Sequence, residues 1–94
     1  MDTKSEEFYE RLKNELENST LWPAEYLFKF IVPSSEEKIT EIGNAFDQMG
    51  AVIDTTQSKT GKYTSVSINV KMASAQAVID KYVQLSHIEG IISL

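Results

Sequence analysis

The chain has 94 residues, 41% of them apolar and 24% charged, with two prolines, four glycines and no cysteine. That length supports one hydrophobic core, the composition is that of a folded chain rather than a disordered one, and the missing cysteines exclude disulfides, thiolate nucleophiles and cysteine-based zinc sites. A formal net charge of −5 opposes binding to phosphate backbones and anionic membranes, which depend on cationic surface.

Residues 1–7, Met-Asp-Thr-Lys-Ser-Glu-Glu, are too acidic for a signal peptide. No apolar run nears the roughly 20 residues that span a bilayer, so no membrane partner and a cytoplasmic location are expected. The charge is uneven: residues 1–18 carry six acidic and three basic side chains, while 58–71 carry Lys59, Lys62 and Lys71 with no acid, enough for a local positive patch.

Phe8, Leu12 and Leu16 recur every fourth residue with Tyr9 beside them, which predicts an amphipathic helix over 5–18 whose stripe needs a surface to dock on. The open face of its own sheet, the same face of a second copy and a foreign protein are the three choices; the short Trp22-Pro23 connection favours the same chain or a homodimer. Residues 1–21 are read as a helical extension and 22–94 as the domain proper.

The run 24–32, Ala-Glu-Tyr-Leu-Phe-Lys-Phe-Ile-Val, is apolar on both alternating faces and predicts a central strand. Pro33 ends it, and Ser34-x-x-Glu37 reads as a capping box for a helix with Ile39, Ile42, Phe46 and Met49 on its buried stripe. Gly43 inside that helix suggests close packing, and Gly50 stands where a left-handed cap would end it.

Residues 51–58 and 62–72 predict a hairpin reversing at Lys59-Thr60-Gly61. In its second strand Thr64, Val66, Ile68, Val70 and Met72 face the core and Tyr63, Ser65, Ser67, Asn69 and Lys71 face away. Ser74 caps a last helix with Ala75, Val78, Ile79, Tyr82 and Val83 inward, and Ile91–Leu94 after Gly90 closes the chain as a short strand. The order after the first helix is βαββαβ, which predicts an α+β, ferredoxin-like sandwich: a four-stranded antiparallel sheet with two helices on one face and the other face open.

At Trp22-Pro23-x-x-Tyr26-x-Phe28-Lys29 and at Ser58-Lys59-x-Gly61-Lys62-Tyr63-x-Ser65-Val66-Ser67-Ile68, the chain resembles the YbeD-like family of small bacterial proteins over about residues 12–94. The resemblance implies a fold similar to the ACT regulatory domains and no established catalytic activity. ACT domains hold small effectors near a glycine-containing turn after the first strand. This chain carries Pro33-Ser34-Ser35 there, which argues against amino-acid binding of that kind.

Catalysis finds little to work with. His87 is the only histidine, no cysteine joins it, and a place on the surface at a helix end explains it. Glu36-Glu37 suits a helix first turn better than a catalytic pair. The glycines at 43, 50, 61 and 90 form no phosphate-binding motif. No enzyme, no catalytic residue, no metal site and no cofactor is expected.

Gly61-Lys62-Tyr63 leading into a central strand has the outline of an RNA-recognition strand, but Ser65 and Ser67 stand where a second stacking aromatic belongs, and nucleic acid is disfavoured. What remains is a regulatory or adaptor domain that binds a protein partner or a small ligand through its open face. Lys29, Tyr63, Ser65 and Ser67 are its candidate contacts, with Lys59, Gly61 and Lys62 at the rim.

Overall fold

The structure, a computed structural model, describes residues 3–94 in the order α1 (Thr3–Ser19), β1 (Ala24–Pro33), α2 (Glu36–Asn44), β2 (Val52–Gln57), β3 (Tyr63–Met72), α3 (Ala75–Leu85) and β4 (Ile92–Ser93). The strands form one antiparallel sheet, β2-β3-β1-β4. β1 and β3, the two ten-residue strands, lie in the middle, paired from Ala24 opposite Met72 to Pro33 opposite Tyr63.

Alternation along these central strands sends Phe28, Phe30 and Val32 of β1 and Val66, Ile68, Val70 and Met72 of β3 to one side. There they meet Ile42 of α2, Phe46 just after it, and Val78, Tyr82 and Leu85 of α3 in one buried cluster. Phe28 is its hub, with the rings of Phe46 and Tyr82 centred 5.0 and 5.3 Å away. Ile42, Phe46, Val66, Ile68, Val78 and Tyr82, read from the sequence as inward, are buried, and so are Phe28 and Phe30, which share one alternating face of the first strand. Leu85 and Ile88 join them, just past the stripe read from the sequence.

The start of α2 departs from the expected capping box. Ser34 still belongs to the sheet: its N–H donates to the Lys62 carbonyl at 2.9 Å and its hydroxyl shares a 2.8 Å hydrogen bond with Thr64. Ser35, extended at φ −137°, is the cap instead, accepting from the Lys38 N–H. Glu37 therefore comes one position too early to reach back to the cap.

The other end of α2 also differs. The α-helix stops at Asn44 and the chain continues in tight turns, with the Phe46, Asp47 and Met49 N–H groups each donating three residues back. These turns keep Phe46 inward and reach Gly50 at φ 70°. Gly43 faces Ile53 of β2, whose Cδ1 lies 3.9 Å from where a Cβ would stand, so close packing does not require the glycine.

Helix α1 docks within its own chain, as one of the expected choices had it, but on the helix layer and not on the open sheet face. It runs along α3, and Tyr9, Leu12 and Leu16 pack against the core cluster. The Trp22 indole N–H donates to the Leu16 carbonyl at 3.3 Å, tying the end of α1 to the chain that leads into β1. The same carbonyl accepts the Thr20 N–H at 3.2 Å, so the indole is a second donor to it in the last turn of α1.

Candidate functional site

The same alternation that fills the core leaves the far side of the sheet uncovered. Leu27, Lys29 and Ile31 of β1 stand opposite Asn69, Ser67 and Ser65 of β3, and the hairpin places Val52, Asp54 and Thr56 of β2 opposite those same three residues. Ile92 of β4 lies opposite Ile31. The face is thus built in rows: Val52-Asn69-Leu27, then Asp54-Ser67-Lys29, then Thr56-Ser65-Ile31-Ile92.

The outer rows carry the apolar side chains, Val52 and Leu27 in one and Ile31 and Ile92 in the other, beside uncharged polar ones, and the middle row holds the charges. Val52, Leu27, Ile92 and Tyr63 keep 64%, 53%, 51% and 49% of their surface in water, a high exposure for large apolar side chains gathered on one face. Lys29 is exposed and ion-pairs with no described residue. Asp54 shares its row with Ser67 between them, so a bound group there would meet a cation, a hydroxyl and a carboxylate in line.

At the hairpin end the face dips into a hollow of about 420 Å³ lined by Ile31, Thr56, Gln57, Ser58, Tyr63 and Ser65. Its walls are an aliphatic side chain, a phenol ring, three hydroxyls and an amide, with no charged group among them. The reversal that shapes it is held by the Ser58 N–H donating to the Tyr63 carbonyl at 2.8 Å, the Gly61 N–H to the Ser58 carbonyl at 2.9 Å and the Tyr63 N–H to the Ser58 hydroxyl at 3.2 Å. Gly61 takes φ 74°, a left-handed conformation that glycine adopts without steric cost.

The structure brings some of the expected contacts together and separates others. Tyr63 and Ser65 line the hollow; Lys29 and Ser67 occupy the adjacent row; Lys59, Gly61 and Lys62 belong to the turn above the hollow and do not line it. The positive patch expected from Lys59, Lys62 and Lys71 does not form. Nine residues of extended chain, about 30 Å, separate Lys62 from Lys71, and Lys71 stands opposite Glu25. Thr56, Gln57 and Ser58 were missed; hairpin pairing would have found Thr56 and Ser58, which lie across from Ser65 and Tyr63, but not Gln57, which stands opposite the core-side Thr64.

Away from this face, His87 is exposed, one ring nitrogen on the Gln84 carbonyl at 2.8 Å and the other on the Glu41 carboxylate. The hydrogen bond to Glu41 raises its pKa above the ordinary imidazole value. Tyr82 is buried and shares a 2.9 Å hydrogen bond with the Tyr26 hydroxyl; burial foremost, then that bond, pushes its phenol pKa up. Both are structural pairs. Among the described residues no three histidine, cysteine, aspartate or glutamate side chains gather to hold a metal ion.

A family of proteins of unknown function, DUF493, matches residues 17–94, more than four-fifths of the sequence and every residue of the open face. The chain belongs to the DUF493 family. This is the YbeD-like family that the Trp22-Pro23 and Ser58–Ile68 segments resemble. The DUF493 match begins at Glu17, so all but the last turn of α1 lies outside it. In structure the chain is similar to protein HP0495 from H. pylori, solved in solution: the TM-score is 0.64 at 12% identity over 81% of this chain and 86% of that one. At that identity the likeness is one of fold. No curated protein matches the chain.

Proposed function

We propose that this DUF493 chain is a cytoplasmic, non-enzymatic regulatory or adaptor domain that acts by binding a protein partner through its open sheet face. The reading takes the element order and the β2-β3-β1-β4 sheet as a ferredoxin-like, ACT-like scaffold with one face packed and one face offered. The observation that carries it is the gathering of Val52, Leu27, Tyr63 and Ile92, all about half exposed or more, around Lys29 on a broad, shallow surface. Aromatic and aliphatic anchors around a few polar groups suit a protein interface.

The hollow between Ile31 and Tyr63 favours a second reading, a small effector held by ring, hydroxyls and amide. Phosphate-driven nucleic-acid binding finds less support, because Lys29 shares its row with Asp54 and Lys71 faces Glu25.

Capture from the native cytoplasm, with proteins and co-purifying small molecules identified by mass spectrometry, tests these readings. The double variant Lys29→Ala/Tyr63→Ala should lose what the natural chain retains. Recovery of the same species in the same amounts would place the functional surface elsewhere. Release that rises steeply with salt would point to a nucleic acid, and little salt dependence to an apolar interface.

A further inference from the structure

The two edges of the sheet are unlike. β4 has two residues, Ile92 and Ser93, and its end shares a small cavity with Phe8 and Leu12 of α1. β2 is six residues long, exposed throughout, and registered on β3 from Val52 to Gln57 without a bulge. It also contains neither proline nor lysine. Shortness, cover, bulges, proline and charged side chains are the devices that keep edge strands from pairing, and of these β2 has only the single charge of Asp54.

The backbone shows which groups on that edge are free. The Ser58 N–H bonds to the Tyr63 carbonyl, and on the far side of β3 the Ser34 N–H bonds to the Lys62 carbonyl. Counting back by twos from Ser58, the N–H and C=O groups of Thr56, Asp54 and Val52 point to β3, and those of Gln57, Thr55 and Ile53 point outward. The six outward groups have no hydrogen-bond partner among the described residues.

We propose that two copies of this chain pair antiparallel through β2 about a twofold axis at Thr55, joining their sheets into one of eight strands. This register sets Thr55 opposite its own copy and Ile53 opposite Gln57 of the second copy, so each outward N–H and C=O finds a partner. A twofold at Asp54 would place two carboxylates directly opposite each other, a destabilising pair. A twofold at Ile53 would leave Gln57 unpaired and draw on Ala51, outside the strand. With the axis at Thr55, Asp54 lies beside the Thr56 hydroxyl of the second copy, a donor for its carboxylate. Thr56 also lines the hollow, so the second copy contributes Asp54 to the hollow's rim. Both open faces then look out from the same side of the joined sheet.

The pairing does not rest on the proposed function, and Lys29→Ala/Tyr63→Ala should dimerise like the natural chain. Sedimentation of the full chain over a concentration series, with amide hydrogen exchange at both ends of the series, tests it. A reversible monomer–dimer equilibrium is expected. The Ile53, Thr55 and Gln57 amides should exchange at least about tenfold more slowly in the dimer, while those of Val52, Asp54 and Thr56 change little. Thr55→Pro removes only an outward N–H and should abolish the dimer. Thr56→Asp sets two carboxylate pairs together and should weaken it about tenfold, and Thr56→Lys should tighten it. A chain monomeric at every concentration overturns the proposal. So does a dimer in which those three amides stay unprotected, since a different surface would then hold it. If Thr55→Pro fails to fold, the two Thr56 variants and the exchange pattern decide.

Discussion

At the scale of single residues, two glycines with nearly the same backbone angle are held for different reasons. Gly61 (φ 74°) and Gly90 (φ 81°) both take the left-handed conformation, but a Cβ at Gly61 meets open space, while at Gly90 it would stand 2.8 and 2.9 Å from two carbons of the Pro33 ring. Gly61→Ala should cost about 1–2 kcal/mol, the strain of the backbone alone. Gly90→Ala adds a clash with a rigid ring and should cost clearly more, about 3 kcal/mol or above, by denaturant unfolding. His87 supplies a pH dependence. Its pKa is raised in the folded chain, chiefly by the Glu41 carboxylate. A base raised by folding stabilises the fold below its unfolded pKa, about 6.5, and loses that contribution as pH climbs through the raised value. Stability should therefore ease downward above about pH 6.5. An NMR titration should show the His87 imidazole moving back toward its ordinary pKa in Glu41→Gln, with the slope in stability flattened. An unchanged titration would break the assignment.

At the scale of elements, α2 and α1 each carry a consequence. Gly43 sits in the last turn of α2, where a methyl group would make ordinary contact with Ile53. Gly43→Ala should stabilise the chain by about 0.5–1 kcal/mol through helix propensity and a less flexible unfolded state, read as a higher melting temperature. α1 lies along α3 and packs Tyr9, Leu12 and Leu16 against the core cluster. Removing residues 1–18 uncovers that surface, at roughly 1.5–3 kcal/mol for each large apolar side chain fully exposed. The shortened chain should bind an apolar dye or associate beyond what the full chain shows at the same concentration in light scattering. If its association, dye binding and stability match those of the full chain, α1 is a detachable arm.

At the scale of the whole molecule, the sheet divides one face for packing from another left in water. Phe30 is 1% exposed among the rings of the core, whereas Lys29 beside it and Tyr63 lie on the open side. Phe30→Ala should cost about 3–5 kcal/mol, a large part of the stability of a domain this small, and drop the melting temperature sharply. Lys29→Ala/Tyr63→Ala should leave stability within about 1 kcal/mol, two exposed substitutions at about 0.5 each. Equal losses in the two variants would mean that the faces of β1 are not divided as described.

These scales separate what could be read from the chain alone. The order of amino acids made the elements, their succession and the two faces of the central strands legible, because alternation at Phe28-Lys29-Phe30 and four-residue spacing at Phe8-Leu12-Leu16 are local patterns that mirror backbone geometry. It also yielded Tyr63, Ser65, Ser67 and Lys29 as neighbours on one surface. Three-dimensional packing was needed to hold Ser34 to the sheet and leave the cap to Ser35, to lay α1 on α3, and to set Lys71 against Glu25 far from Lys62. It alone brought Thr56, Gln57 and Ser58 into the hollow. Each of these outcomes depends on partners distant in sequence, Thr64 for Ser34 and Glu25 for Lys71, and the choice among them is made by register and packing, which no local period encodes.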